Sequence, residues 1–266
     1  MTRGRAAAAV LGLLVVAAVA APWLGHATPE ALDLANRRAA PSLAHWFGTD
    51  ELGRDLLTRV LFGARVSLAV GLLSALIAGA LGVAVGAISG FAGGAIDAVV
   101  MRITDAVLAV PRLLLLMAAA AALQPSVGVL VLLVGGVGWM ETARVTRAAF
   151  LSARDREFVL AARACGASPA RLVLAHLLPN AATVIIVSMT LAVGRGVLLE
   201  SALSFFGVGV QPPAASWGNM LYQAQTTMST EPWLALFPGL FIFVTSVSIN
   251  LVGDELSRPS YGASGA

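Results

Sequence analysis

Lysine is absent from this 266-residue chain, and all 17 of its basic residues are arginine. A phosphate-binding P-loop needs a lysine after its glycines, so the chain carries no Walker-type ATPase site of its own. Histidine is scarce. His26, His45 and His176 lack the helical pairing of a zinc protease, and no Gly-x-Ser-x-Gly elbow is present. We therefore assign no catalytic residue and no metal site. The single cysteine, Cys165, excludes an internal disulfide, and we read it as a small packing residue beside Gly166. Charge of either sign is thin: 12% of residues are Asp, Glu or Arg against 58% hydrophobic, and the mean hydropathy is +0.87. That is more apolar surface than one soluble core of this length can bury, so the chain is expected to be an integral membrane protein. Its formal charge of +3 needs no nucleic acid to explain it, because clustered arginines are what the positive-inside rule produces.

The charge gaps divide the chain into an all-α membrane protein of six spans. Arg3 and Arg5 precede an apolar run from about Ala6 to Trp23, ~27 Å long at helical rise, which just crosses a bilayer core. Ala18-Val19-Ala20 also fits a signal-peptidase site, but we expect this first span to be retained as an anchor. Residues 24 to 65 are polar and charge-balanced, and Leu56, Val60, Leu61 and Val66 recur at helical spacing opposite Asp55, Arg59 and Arg65. An amphipathic helix along the outer interface is the expectation there. A second span follows at about Ser67 to Phe91, and its Gly82, Gly86 and Gly90, with Gly79 nearby, form a face for close helix packing. Two further spans, about Pro111 to Leu123 and Val127 to Val145, are separated by a break at Gln124-Pro125-Ser126. A fifth runs from about Ala181 to Leu203 and a sixth from about Trp233 to Val252, with Pro238 and Gly239 as a candidate kink. Arginine placement puts both termini in the cytoplasm, leaving the stretch from Gly207 to Glu231 outside.

One interval of regular charge, Glu157 to Asn180, stands between these spans and reads as two short helices joined by a turn. Ala161, Ala162 and Ala164 favour the first, which Gly166 can close in the left-handed conformation. Ser168 is the expected N-cap of the second, with Pro169 at its first position and an end near Leu178, ahead of Pro179. With Arg163, Arg171 and His176 on the same stretch, the expectation is a cytoplasmic docking element.

At these residues the chain resembles a known family. Ala161, Ala162, Gly166, Leu178 and Pro179 sit at the spacing of the loop by which membrane subunits of ABC importers grip their ATPases, although Leu160 stands where that family has a glutamate. FGTDELGRD from Phe47 to Asp55, HLLPN from His176 to Asn180 and LSFFGVGVQPPAASWGNML from Leu203 to Leu221 resemble the dipeptide, oligopeptide and nickel permease branch. For FGTDELGRD two readings stay open, contact with a substrate-delivery protein or a structural cap. The resemblance implies a type I ABC importer permease fold with cytoplasmic coupling helices: residues 1–65 as anchor and external segment, and residues 66–256 as the permease domain with its coupling loop at 154–180. It further implies a multi-pass protein of the bacterial plasma (inner) membrane and a second homologous permease as partner. Two cytoplasmic ATPases that bind the ATP and an external substrate-binding protein complete the expected assembly, with no cofactor in this chain. A dipeptide or oligopeptide is the expected substrate, with nickel or another metal complex as the alternative. A self-contained channel or secondary transporter would instead show inverted repeats, and none is evident.

Within the fifth span Arg195 is an ionisable residue in an apolar setting, flanked by Gly194 and Gly196. Such a residue is a functional candidate by default. Three roles are open to it: lining the translocation pathway, meeting the second permease, or pairing with Glu200. Glu200, which matches a glutamate usual in the family, lies five residues on and so about 140° around the helix, a strained separation for a pair.

Overall fold

The computed structural model describes residues 3–24, 28–123 and 126–257. Thr2, His26, the break at Gln124-Pro125 and the tail from Arg258 lie outside the described residues. The described chain is helical, with one isolated antiparallel bridge between Thr49 and Asp55. In chain order it forms α1 (Arg3–Val19), α2 (Ala21–Leu24), a 3-10 turn (Leu34–Asn36), α3 (Leu56–Ala92), α4 (Gly94–Leu108), α5 (Arg112–Ala122) and α6 (Val127–Ala153). Then come α7 (Glu157–Ala164), α8 (Pro169–Arg171), a π-helical turn (Leu172–Leu177), α9 (Leu178–Phe205), α10 (Trp217–Ala224) and α11 (Trp233–Ser257).

Four helical runs are long and apolar enough to cross a membrane: Leu56–Ala92, Val127–Ala153, Pro169–Phe205 and Trp233–Ser257. Helices α4 and α5 meet at a 79° bend and together make a fifth, broken run. The first helix has 17 residues, ~26 Å at helical rise. Helix α11 continues through Pro238 without interruption.

The 37 residues of α3 make it the axis of the bundle. Its Asp55 N-cap accepts from the Thr58 N–H at 2.8 Å. The amphipathic stretch expected along the outer interface is instead the first turns of this helix, and the boundary drawn at 65/66 falls inside it. The cause is Arg59, which helical spacing set on the polar face. It is 1% exposed, its Nε lies 3.4 Å from Asp50, and it donates to the Pro29 carbonyl at 3.3 Å and Gln223 at 3.4 Å. A paired guanidinium can thus be covered by the outer segment while Leu56, Val60 and Ala64 join the core around Trp217.

The glycine face of α3 packs against α6, as its spacing predicts. A Cβ at Gly82 would stand 2.6 Å from the Thr142 Cβ, at Gly86 2.4 Å from the Ala143 carbonyl oxygen, and at Gly90 2.7 Å from the Phe150 Cβ. No side chain larger than hydrogen fits such an approach. Gly79 faces α9 instead, where its neighbour is the flexible end of the Met189 side chain.

At the N-terminal end of α3 the motif from Phe47 to Asp55 is folded as a cap. Asp50 accepts from the backbone of Leu52 and Arg54 and pairs with the Arg54 guanidinium at 2.6 Å. His45 Nδ1 is 3.0 Å from Asp55, and Phe47 stacks on Phe237 with 3.8 Å between ring centres. Gly53, at φ +76°, passes so close to Asp33 that a Cβ would overlap its carbonyl. At Asp33 itself, hydrogen bonds led by the Asn36 side chain hold the carboxyl below its ordinary pKa. These contacts account for the motif's Phe47, Asp50, Gly53, Arg54 and Asp55 as parts of one structural cap, the second of the two readings.

Candidate functional site

The interval from Glu157 to Asn180, where a docking element is expected, has the punctuation its sequence announces. Helix α7 ends through a Gly166 at φ +82°, with the Ala167 N–H donating to the Ala162 carbonyl and the Gly166 N–H to Arg163, both at 3.0 Å. This is a Schellman closure. Ser168 caps the next turn by accepting from the Arg171 N–H, with Pro169 at its first position. Val159, Leu172, Leu177 and Ala181 are buried against Phe150 and Ala153 at the end of α6, so the element stands on a continuous apolar footing. Glu157, Ala161, Arg163, Gly166, Ser168, Pro169, Arg171 and Pro179 are exposed around it, together with Phe158, Leu160 and Leu174, while Ala162 and His176 are half-buried.

Two expectations about this element need correction. The second helix does not end at Leu178 but runs on through Pro179 into α9. The π-helical turn just before it takes up the misfit that a proline ring creates with the carbonyl four residues back. Cys165 is exposed rather than packed. Nothing lies within 4 Å of a Cβ built on Gly166, so backbone conformation rather than close packing demands glycine there.

Deeper in the bundle, charged side chains from three helices meet. Arg195 of α9 places Nη2 2.9 Å from Oε2 of Glu141 on α6, and Arg112, the first residue of α5, donates from Nη2 to the other Glu141 oxygen at 2.8 Å. The Glu141 side chain is 37% exposed and that of Arg195 35%. Glu141 and Arg195 line a cavity of about 340 Å³ with Ser188 and Leu191 among its walls. Arg112 lines a second cavity of about 260 Å³ beside the α4–α5 bend. Arg195 therefore does not pair with Glu200, and sequence reasoning assigned no role to Glu141 or Arg112. The available signal was Glu141 itself, a carboxylate twelve residues before the end of a 27-residue apolar helix.

Glu200 is fully buried and held by hydroxyls. Ser67 of α3 donates to Oε2 at 2.8 Å and Ser204 donates to Oε1 at 2.7 Å. The same serines accept backbone bonds from the chain beyond α9: Trp217 N–H donates to Ser67 at 3.2 Å and Val210 N–H to Ser204 at 3.0 Å. Through them the carboxylate ties α3, α9 and the segment ending in α10 into one unit. Most of that segment folds inward: Trp217 is fully buried and its indole N–H donates to the Val60 carbonyl at 3.0 Å. Ser216 and Asn219 start α10 with a reciprocal capping box.

The described chain is thus an all-helical bundle with four helical runs long and apolar enough to cross a membrane, an exposed helical turn at the foot of α6 and α9, and the buried helix α10. The chain belongs to the family of binding-protein-dependent transport system inner membrane components, whose sequence pattern matches residues 82–258. It is 38% identical over 247 residues to a putative peptide transport system permease protein of Brucella suis, covering 93% of this chain and 83% of that one. It is 40% identical over 249 residues to a probable D,D-dipeptide transport system permease protein of Escherichia coli K12, covering 94% and 84%. Among solved structures it shares its fold with a chain of the MetNI methionine ABC transporter in an inward-facing conformation, at a TM-score of 0.63, 19% identity, and coverage of 74% of this chain and 95% of that one.

Proposed function

We propose that this chain is one membrane-spanning permease subunit of an ATP-driven importer for dipeptides or oligopeptides. The observation that carries the substrate class is its 38–40% identity, over nearly the whole chain, to permeases named for peptides and a D,D-dipeptide. The coupling role rests on the exposed surface of α7 and the Pro169 turn, rooted in the buried core of α6 and continuous with α9. A push on such a platform is carried along a rigid helix to Arg195.

In this reading six spans cross the inner membrane, namely α1, α3, α5 with its bent partner α4, α6, α9 and α11, with both termini in the cytoplasm. The chain pairs with a second homologous permease, rests on two ATPase subunits that bind the ATP, and receives substrate from an external binding protein. Arg195 lines the translocation pathway and Glu200 holds its wall in place. Nucleotide-driven closure of the ATPases selects between outward-open and inward-open arrangements through the contacts that Glu157, Arg163, Arg171 and their neighbours make in each. Affinity purification of the tagged chain from native membranes in mild detergent tests the assembly. An ATPase subunit should be retained with measurable ATP hydrolysis, whereas recovery of a chain that moves peptide without any ATPase contradicts the reading.

A further inference from the structure

The cluster of Arg112, Glu141 and Arg195 is unbalanced: two guanidinium groups share one carboxylate. Each arginine approaches a different oxygen of Glu141, at 2.8 and 2.9 Å, through a single Nη2. A guanidinium has five N–H donors in a fixed fork, so both have donors to spare. The two arginines also border a shared narrow cleft with Ser74, Gly138 and Gly196, and Arg195 lines in addition the cavity of about 340 Å³ and Arg112 that of about 260 Å³. The larger is within the range of small-molecule sites, about 300–1,000 Å³. Arg195 and Glu141 face that cavity while Arg112 backs Glu141 from the other side, so an anion arriving there meets a cluster with one positive charge in excess.

We propose that Arg112 and Arg195 form a recognition site for the terminal carboxylate of the transported peptide, with Glu141 as the counter-ion that this carboxylate displaces. The proposal rests on the importer reading and adds a mechanism of selection to it. The incoming carboxylate keeps every guanidinium paired and balances the second positive charge, while the displaced Glu141, 37% exposed, turns toward the cavity, so a free acid enters at little electrostatic cost. A neutral terminus offers no such exchange. Because Glu141 holds α5 and α9 to α6, its displacement also loosens the joint between these helices when substrate is present.

The test uses the assembled transporter in nanodiscs without its binding protein, so that any carboxylate preference belongs to the membrane subunits. Binding of labelled alanyl-alanine is compared with that of alanyl-alanine amide. The wild type should prefer the free acid by about tenfold or more, the scale of a charge-assisted bidentate contact. Arg195→Gln and Arg112→Gln should each bring the two ligands close to parity. Glu141→Gln removes the competitor and should tighten binding of the free acid several-fold, an outcome that misfolding cannot produce. Equal binding of acid and amide to a wild type that still takes up dipeptide overturns the site and leaves the importer reading standing. A wild type that binds neither peptide overturns the site, and only a complex that also fails to take up dipeptide with its binding protein and ATP present overturns the importer reading as well.

Discussion

Removing the Glu200 carboxylate should detach the segment between α9 and α10 from the bundle. In Glu200→Ala the Ser67 and Ser204 hydroxyls lose an acceptor at 2.8 and 2.7 Å, in a fully buried place. Each bond to such a group is worth about 1.5–3 kcal/mol, and together with the void the loss should reach about 3–5 kcal/mol. For a chain of this size that corresponds to a fall of roughly 10 °C in melting temperature. Glu200→Gln keeps the shape and one carbonyl acceptor, so it should cost less than half as much. Thermal melting of the purified complex gives the magnitude, and hydrogen exchange locates it. Protection should fall at Val210 and Trp217, whose N–H groups bind these two serines, while the docking element keeps its own. An alanine variant that melts with the wild type and keeps the Val210 and Trp217 amides protected would refute the clamp.

Gly166→Val places a β-branched residue at φ +82°, a strain of about 1–2 kcal/mol, and should abolish substrate-stimulated ATP hydrolysis, whereas Gly166→Asn tolerates that conformation and should retain most of it. Equal loss in both variants would show that surface, not backbone, is what matters there. Gly86→Leu drives a side chain into the Ala143 carbonyl and should destabilise the α3–α6 contact by about 1–3 kcal/mol or more, read as a lower melting temperature; an unchanged melt would contradict the packing. For topology, native Cys165 is exposed and should react with an impermeant thiol reagent only from the cytoplasmic side, while Ser229→Cys in a Cys165→Ser background should react only from outside. Labelling of both from the same side would overturn the orientation.

How much of this was legible depends on whether the cause is local. Uncharged runs between arginines mark the spans because the cost of a charge in lipid acts residue by residue, and α3, α6, α9 and α11 all lie where those gaps put them. Gly166, Ser168 and Pro169 announce a helix stop and restart through backbone chemistry alone, and the structure follows them. What could not be read depends on partners far along the chain. Arg59 looked like a solvent-facing residue until Asp50, Pro29 and Gln223 were folded around it. Arg195 had an acid five residues away, and its true partner is 54 positions earlier on another helix, Glu141. The segment rich in glycine and proline read as an outside loop, yet it buries Trp217; only the spacing of Ser216 and Asn219 hinted at a capped helix within it. Pro179 is the reverse case, a strong local stop signal overruled by a wider turn just ahead of it.

The central claim is that this chain carries peptides across a membrane at the expense of ATP hydrolysed by its partners. It is tested most directly in proteoliposomes holding the purified complex, with ATP on the side of the docking element and the binding protein and a labelled dipeptide on the other. Accumulation of the dipeptide that requires ATP and disappears when this chain is left out is the predicted result. Dipeptide entry that proceeds equally without ATP, or ATP hydrolysis that moves no peptide of any length, would contradict it.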